Sequence, residues 1–293
     1  MKLFRKFTYI DGTRKIYFCG IKVWSYYKPV GEPDFKYDIL KYMAIKKCDN
    51  LQNLVLGSSH GRDCFIPSKS DFNLSASSLD MYRIWKLYEY VVKHNGDNLR
   101  RIIIVWSVFH AGLQLEKTKE YARCIPYKAL YGIDYALPLP ENDEFAIEIL
   151  NRQTKEVICP TGFRGKATYK LNHFDEPTAV LVAKHVKNTK RNNHQINYLQ
   201  KIADLAQKSG HRMYVVLPPY RKDYLGCLPN EIEIYHELFD FLDKNKNVKL
   251  LNFQHDEDFE YDDFDSPDHC NECGGIKMTE KINKAINKND KKQ

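Results

Sequence analysis

Two short stretches of this chain hold residues that could do chemistry together. The first, "LGSSHG", ends an apolar run at Asn53–Gly57 and offers Ser58 and Ser59 in a turn framed by glycines. A nucleophilic serine needs such a place, because its hydroxyl must be exposed and nearby N–H groups must be free to bind an oxyanion. By itself the pattern is weak, since Gly and Ser are also ordinary turn residues.

The second stretch, "YDDFDSPDHCNECGG", places His269 after several aspartates. A histidine acting as general base needs a carboxylate on its other ring nitrogen, which fixes the tautomer and stabilises the imidazolium. Asp265 and Asp268 are the candidates. We expect Asp265, because the turn at Pro267 can deliver it, whereas a side chain adjacent to the histidine usually points away. A solvated acidic loop is the alternative interpretation.

The elements between these stretches indicate an α/β fold. Short continuous apolar runs separated by amphipathic helices predict a central parallel five-stranded sheet in a flavodoxin-like three-layer α/β/α arrangement. Sites in such sheets lie beyond the carboxyl ends of the strands, where both stretches would fall. The predicted strands are 53–57, 71–75, 101–108, 212–220 and 248–253, and the predicted helices are 77–95 with Ser77 or Ser78 as cap, 192–211 and 275–288.

The N-terminal part differs from this α/β pattern. Residues 14–27 alternate between apolar and polar side chains around Gly20, which predicts a β-hairpin. We expect an extension at 1–48 that packs on a main body at 49–293. An insertion at about 110–190 interrupts the alternation of strands and helices, and we expect it to form a lid or a substrate wall.

Composition excludes several classes of protein. With 43% hydrophobic and 28% charged residues among 293, the chain is globular rather than disordered. The N-terminus lacks the apolar core of a signal peptide, and no stretch is long enough to span a membrane. The eight cysteines are mostly far apart, so we expect reduced thiols and a cytoplasmic protein.

The net charge of +7 comes from scattered lysines that are densest at 281–292. A basic tail can contact nucleic acid or an anionic membrane, although a solvated, frayed terminus is the simpler interpretation. We find no nucleic-acid-binding motif and expect no nucleic-acid partner. A peripheral membrane contact through this tail stays open.

Together the two stretches resemble the SGNH (GDSL-like) hydrolase superfamily. "LGSSHG" looks like its first block, "FNLSASSLD" is similar to the second, and "DSPDHCNECGG" resembles the last. The resemblance implies Ser59 as nucleophile, His269 as base, and an oxyanion hole formed by the N–H groups of Ser59 and Ser75. Ser58 is the alternative nucleophile. The helix pattern and the N-terminal ribbon are similar to those of proteins associated with bacterial surface polysaccharide pathways.

Two departures from the family pattern stand out. The third block usually supplies an Asn after the central strand, but this chain has "WSVFHAG", where either Ser107 or His110 substitutes or the donor is missing. The family aspartate lies three residues before the histidine, and Ser266 occupies that position here.

The resemblance implies an esterase or O-acyltransferase acting on a glycan, a glycan precursor or another acylated small molecule, through an acyl-enzyme at Ser59. The alternative is a non-catalytic SGNH-like protein that binds a glycan or a partner in polysaccharide assembly. The departures favour that alternative. The sequence gives no sign of a cofactor.

Two rival sites use neighbouring residues. His255, His269, Cys270 and Cys273 have spacing that could suit zinc, but a second Cys pair is missing and we expect no metal. Cys64 could be a nucleophile, although a packed small residue is the simpler interpretation. Arg62 could bind an anionic group or form an ordinary salt bridge.

Overall fold

The computed structural model describes residues 4–8, 13–27, 32–140, 142–157, 177–189 and 194–290. The chain divides into two compact units. The first combines residues 1–40 and 115–159, and the second combines residues 41–114 and 160–293. The stretch "ICPTGFRGKATY", predicted to be part of the insertion, lies outside the described residues. The expected division into 1–48 and 49–293 stays a prediction.

A parallel five-stranded sheet forms the centre of the second unit. The strands are β4 (Asn53–Gly57), β5 (Asp71–Asn73), β6 (Arg101–Val105), β7 (Arg212–Leu217) and β8 (Lys249–Asn252). Their order across the sheet is β5-β4-β6-β7-β8, so β4 is an interior strand, β5 lies on one side of it and the later strands are added on the other side. The predicted flavodoxin-like α/β class is therefore confirmed.

Both faces of this sheet are buried, as continuous apolar strands require. One face packs on the last helix through Met278, Ile282 and Ile286. Two helices that contact each other lie against β4 and β7. The helices of this unit are α2 (Ser59–Cys64), α3 (Met81–Asn95), α6 (Thr178–Thr189), α7 (Ile196–Lys208), α8 (Lys222–Cys227), α9 (Glu231–Lys244) and α10 (Glu272–Asp290).

Two helix ends differ from expectation. Asp80, rather than Ser77 or Ser78, caps α3, and its side chain accepts a hydrogen bond from Arg83 N at 3.0 Å. The predicted fraying of the C-terminus is wrong up to Asp290. The carboxylate of Asp290 accepts hydrogen bonds from Arg101 Nε and the Tyr214 hydroxyl, both at 3.0 Å, and thereby ties the end of α10 to the sheet.

The first unit contains a three-stranded antiparallel sheet, β1 (Phe4–Thr8), β2 (Thr13–Phe18) and β3 (Ile21–Tyr27). The predicted hairpin is present as β2 and β3, and Gly20 has the positive φ of +86° that its turn requires. Helices α4 (Cys124–Tyr131) and α5 (Glu144–Glu156) belong to this unit, and α1 (Lys36–Ile45) runs from the first unit into the second. Among the described residues, no helix has the length and apolar character needed to cross a bilayer.

A short antiparallel hairpin, β9 (Phe264–Ser266) and β10 (His269–Cys270), precedes α10. The helix approaches this hairpin closely, because a Cβ at Gly274 would overlap the carbonyl oxygen of Asp263 and lie 3.1 Å from Cys270 Cβ. Only a residue without a side chain fits there. The position of His269 therefore depends on a close helix–hairpin contact.

We expect Gly274→Ala to lower the free energy of unfolding by about 1–3 kcal/mol, because the methyl group must displace backbone. Gly226→Ala is the matched control. It also lies in a helix, but nothing lies within 4 Å of its Cβ position. Urea denaturation of both variants checks this prediction, and equal stabilities would contradict the close approach of α10 to the hairpin.

Candidate active site

Ser59 lies at the carboxyl end of β4, where the strand passes directly into α2. Ser58 is extended at the N-cap position, and Ser59 is the first helical residue. The two flanking glycines permit the tight packing. A Cβ on Gly57 would lie 2.9 Å from the Val105 carbonyl oxygen, and one on Gly61 would lie 2.6 Å from Ser75 Oγ. The glycine-framed turn thus fixes α2 against β5 and β6 while Ser59 stays partly exposed.

The structure brings Ser59 and His269 together across 210 residues of sequence. Ser59 Oγ lies 2.8 Å from His269 Nε2, which is hydrogen-bonding distance. Ser58 points elsewhere: its side chain is fully buried, and its Oγ lies 2.5 Å from Ser107 Oγ. The geometry therefore favours Ser59 over Ser58 as the nucleophile.

The carboxylate that contacts His269 belongs to Asp268. Its Oδ1 lies 2.9 Å from His269 Nδ1, and the Ser266 hydroxyl lies 2.9 Å from the same nitrogen. Asp265 lies in β9 and is partly buried, whereas His269 Nδ1 contacts Asp268 and Ser266. Our preference for Asp265 is corrected on this geometry.

The expectation that adjacent side chains diverge assumes regular strand geometry, which is absent here. Pro267 and Asp268 form the turn between β9 and β10, and a register irregularity follows at His269 and Cys270. A turn residue need not alternate with its neighbour as strand residues do. Asp268 is therefore able to bond the imidazole of the next residue.

The Asp268 carboxylate accepts hydrogen bonds from other side chains besides His269. The Ser266 hydroxyl donates to its Oδ1 at 2.8 Å, and His60 Nε2 lies 3.0 Å from its Oδ2. His60 is itself buried beside the Tyr220 hydroxyl, which lies 3.5 Å from its Nδ1. A continuous chain of polar groups thus leads from Ser59 through His269 and Asp268 to His60.

The ionisation states follow from these contacts. Burial alone raises the pKa of a carboxyl, but His269 and His60 outweigh it and hold the pKa of Asp268 well below its usual range. Burial also lowers the pKa of His269, but the charge and hydrogen bond of Asp268 outweigh it, so the net pKa is raised. At His60 burial dominates and the pKa is lowered.

These states assign the protons. The Asp268 carboxylate is an acceptor only, so His269 donates from Nδ1 and neutral His60 donates from Nε2. When His269 is neutral, its Nε2 carries no proton and accepts the hydrogen bond from the Ser59 hydroxyl. This is the arrangement in which a histidine can take a proton from a serine.

An aromatic wall, formed by Phe109, His185, Tyr220 and Tyr224, surrounds His60. The Phe109 and His185 rings lie 5.4 and 6.1 Å from the His60 ring between centroids. His185 Nδ1 lies 2.7 Å from the Tyr224 hydroxyl, and burial lowers the pKa of His185 to about 4. This wall keeps the Asp268 side of the site dry, which strengthens the charge interactions there.

The predicted oxyanion donor at Ser75 is not supported by the geometry. The Ser75 N–H donates to Asn73 Oδ1 at 2.9 Å, and the Asn73 amide donates to the carbonyls of Gly61 and Phe65. Ser75 is fully buried. Its N–H therefore belongs to the scaffold that holds α2 in place, which leaves the Ser59 N–H as the predicted donor.

Neither proposed substitute for the third-block Asn is available as a donor. The Ser107 hydroxyl meets Ser58 Oγ, and the Ser107 N–H donates to His110 Nδ1 at 2.9 Å. His110 Nε2 lies 3.2 Å from the Leu79 carbonyl oxygen. Burial lowers the pKa of His110 to about 3, so it is neutral, and both ring nitrogens are used within the scaffold.

Within the described ranges, one group of side chains could share a metal ion. The ligand atoms of His60, Asp268 and His269 lie within 4.8 Å of one another. In the observed arrangement Asp268 bonds both histidines through protons, which a cation would have to displace. Within the described residues, the zinc ligands considered from the sequence are not brought together, since His255 pairs with Glu231 and Cys273 is exposed.

The remaining candidates have structural surroundings. The seven cysteines that the structure describes are free thiols, and Cys159 lies outside the described residues. Burial raises the pKa of Cys64 far above its usual value, which argues against a thiolate nucleophile. Arg62 donates to Asp63 through Nε and Nη2 at 2.5 and 2.7 Å and to Ser77 through Nη1 at 2.7 Å.

Three residues of this site, Ser266, His60 and His185, have no catalytic role predicted from the sequence. Ser266 occupies the position that the family gives to its aspartate, so that position was a usable signal. His60 follows Ser59 directly, which was a weaker one. His185 comes from the predicted insertion, and nothing in its local sequence indicates that its Nδ1 lies 3.8 Å from Asp268 Oδ2.

Comparisons with known proteins do not identify a family. No family model matches the chain, and no curated protein matches it. Among solved structures, a "putative acylhydrolase" from Bacteroides fragilis NCTC 9343 is similar over 88% of this chain and 99% of its own, with a TM-score of 0.45 and 9% sequence identity.

Proposed function

We propose that this protein carries out serine-dependent acyl-ester chemistry through an acyl-enzyme at Ser59. The observation that carries the proposal is the hydrogen-bonded series Ser59–His269–Asp268, with separations of 2.8 and 2.9 Å. The series has a partly exposed nucleophile, a base whose Nε2 faces that nucleophile, and a buried carboxylate. These are the three roles that acyl transfer through serine requires.

Each step has a named group. Ser59 Oγ attacks the ester carbonyl while His269 Nε2 takes its proton, and the imidazolium is stabilised by Asp268. The Ser59 N–H lies in the first turn of α2, where helical N–H groups lack intrahelical acceptors, and it binds the oxyanion in this proposal. The tetrahedral intermediate collapses as His269 returns the proton to the leaving alcohol, which leaves an ester on Ser59.

The acceptor decides between two reactions. Water attacking the Ser59 ester releases a carboxylic acid and restores the serine, which makes the protein an esterase. A sugar hydroxyl attacking the same ester makes it an O-acyltransferase. The resemblance of the sequence to proteins of polysaccharide pathways supports a glycan or glycan precursor as the substrate. The contacts described in the site do not themselves indicate a glycan.

A non-catalytic binding protein is the second candidate. It is favoured by the commitment of Ser75, Ser107 and His110 to scaffold hydrogen bonds, because few donors remain for an oxyanion. In this case the same site would bind a glycan or a partner protein, and Ser59→Ala would leave that binding unchanged.

We expect a fluorophosphonate probe to form an adduct on Ser59, detected by mass spectrometry of the digested protein. His269→Ala should abolish the adduct, because the serine then has no base. Ser58→Ala should keep it, since Ser58 faces Ser107 rather than His269.

Folding of each variant is checked by circular dichroism. An adduct on Ser58, or none on a folded wild-type protein, would count against the acyl-enzyme. The second outcome makes the binding role the leading one. If the adduct forms on Ser59, p-nitrophenyl acetate supplies an acyl group to the unmodified protein, and added sugar acceptors then separate transfer from hydrolysis.

A further inference from the structure

The three-stranded sheet of the first unit exposes an apolar face. Phe4, Phe18 and Ile21 are cross-strand partners in one row, so they share a face. Ile16 and Trp24 form another row on the same face, because Ile16 lies two residues from Phe18. We call Phe4, Ile16, Phe18, Ile21 and Trp24 the ribbon face.

Large side chains of the ribbon face are open to solvent. Phe4 is 65% exposed, Ile21 is 70% exposed and Trp24 is 61% exposed. The Phe4 and Phe18 rings lie 4.8 Å apart, so the aromatic surface is continuous. Contiguous exposed apolar surface of this kind usually marks a binding site.

The positive charge of the N-terminal segment indicates which kind of partner the ribbon face binds. Residues 1–28 contain seven basic residues and one acidic residue, a net charge of +6 out of the chain's +7. Lys22 is exposed on the strand that carries Ile21 and Trp24. Charges on either face of one sheet lie within about one Debye length, roughly 10 Å, of a surface that the sheet touches.

We propose that the ribbon face docks on an anionic lipid bilayer. A bilayer interface takes up aromatic and aliphatic side chains together while its anionic headgroups attract nearby Lys and Arg. The aliphatic Ile21 at the tip has no flat ring to stack on a base, which favours lipid over single-stranded nucleic acid. Trp24 suits the headgroup level, where amphipathic rings concentrate.

The basic C-terminal tail offers a weaker surface. Lys281 bonds Asp256 at 2.8 Å and also pairs with Asp258, so part of the charge of the tail is neutralised. The membrane contact considered from sequence for the tail is therefore assigned to the ribbon instead.

Co-sedimentation of the full chain with vesicles tests this proposal, using phosphatidylcholine alone and phosphatidylcholine with about one third phosphatidylglycerol. We expect binding to the anionic vesicles only, weakened by salt. The pairs Ile21→Ser/Trp24→Ser and Lys15→Glu/Lys22→Glu should each weaken it about tenfold or more.

Two controls match these variants. Ile232→Ser removes an equally exposed side chain, at 70%, on α9, and Lys284→Glu/Lys288→Glu makes the same charge change on exposed positions of α10. Neither should change vesicle binding. Absence of vesicle binding by the wild-type chain, or loss of binding only in the α10 variant, would overturn the proposal.

A second copy of the chain or a nucleic acid bound to the ribbon face would give different results in these experiments. If Ile21→Ser/Trp24→Ser changes the oligomeric state by light scattering and leaves vesicle binding intact, a second copy covers the ribbon face and the proposal is wrong. Tight binding of an oligonucleotide with no vesicle binding would also overturn it.

Discussion

Ser59→Ala is expected to reduce hydrolysis of p-nitrophenyl acetate by at least about 10³-fold, because the reaction loses its nucleophile. The loss should appear in kcat, since the removed hydroxyl acts on the reacting carbonyl rather than in ground-state binding. The substitution removes one partly exposed oxygen, so the melting temperature should change little. Steady-state kinetics on the purified variant measures the effect.

Ser58→Ala is the matched control for this experiment. It removes the same group one residue earlier, where the hydroxyl is buried against Ser107. We expect it to lower stability by about 1 kcal/mol and to keep kcat within about tenfold of wild type. A larger loss of kcat in Ser58→Ala than in Ser59→Ala would reverse the assignment of the nucleophile.

Asp268→Asn is expected to lower kcat by about 10³- to 10⁴-fold, because an uncharged amide does not stabilise the imidazolium of His269 and its NH2 group can donate to Nδ1, which favours the wrong tautomer. Asp265→Asn is the control, since the bonds to His269 Nδ1 come from Asp268 and Ser266. It should keep kcat close to wild type. Equal losses in the two variants would restore Asp265 as a functional carboxylate.

The pH dependence gives a second readout for Asp268. His269 accepts a proton only when neutral, so kcat/KM should rise with pH through the raised pKa of His269, above the ordinary value of about 6.5. Removing the Asp268 charge removes the main cause of the elevation. The acid limb of the residual Asp268→Asn activity should therefore shift to lower pH, and an unshifted limb would show that Asp268 does not set this pKa.

Asp268 accepts hydrogen bonds from two histidines, which distinguishes this site from a simple triad of serine, histidine and aspartate. One carboxylate oxygen faces His269 and the other faces His60, which is neutral because burial dominates its pKa. In the proposed reaction His60 would be a positioning residue, since it contacts the Asp268 carboxylate and not the reacting serine. It supplies a hydrogen bond to Asp268 that a lone turn carboxylate would lack, and it thereby helps to keep that buried carboxylate charged.

The sequence by itself determined the sheet and the position of two site residues. Continuous apolar runs such as 53–57 and 101–105 place apolar side chains on both faces of a strand, so both faces must be buried. The alternation of these runs with helices indicates a parallel sheet. Since parallel strands end at one edge, Ser59 after β4 and a histidine before α10 are brought to the same edge. Local pattern was sufficient for these conclusions.

Only the tertiary structure decided which carboxylate lies against His269 and which N–H groups near Ser59 are already paired. The β9–β10 turn bends Asp268 back onto the adjacent His269, a geometry that no residue spacing indicates. The Ser75 N–H is taken by Asn73, and His110 is taken by Ser107 and Leu79, through side-chain bonds between separate elements. A hydrogen bond depends on distance and direction to within tenths of an ångström, and those are set by packing, which sequence pattern does not record.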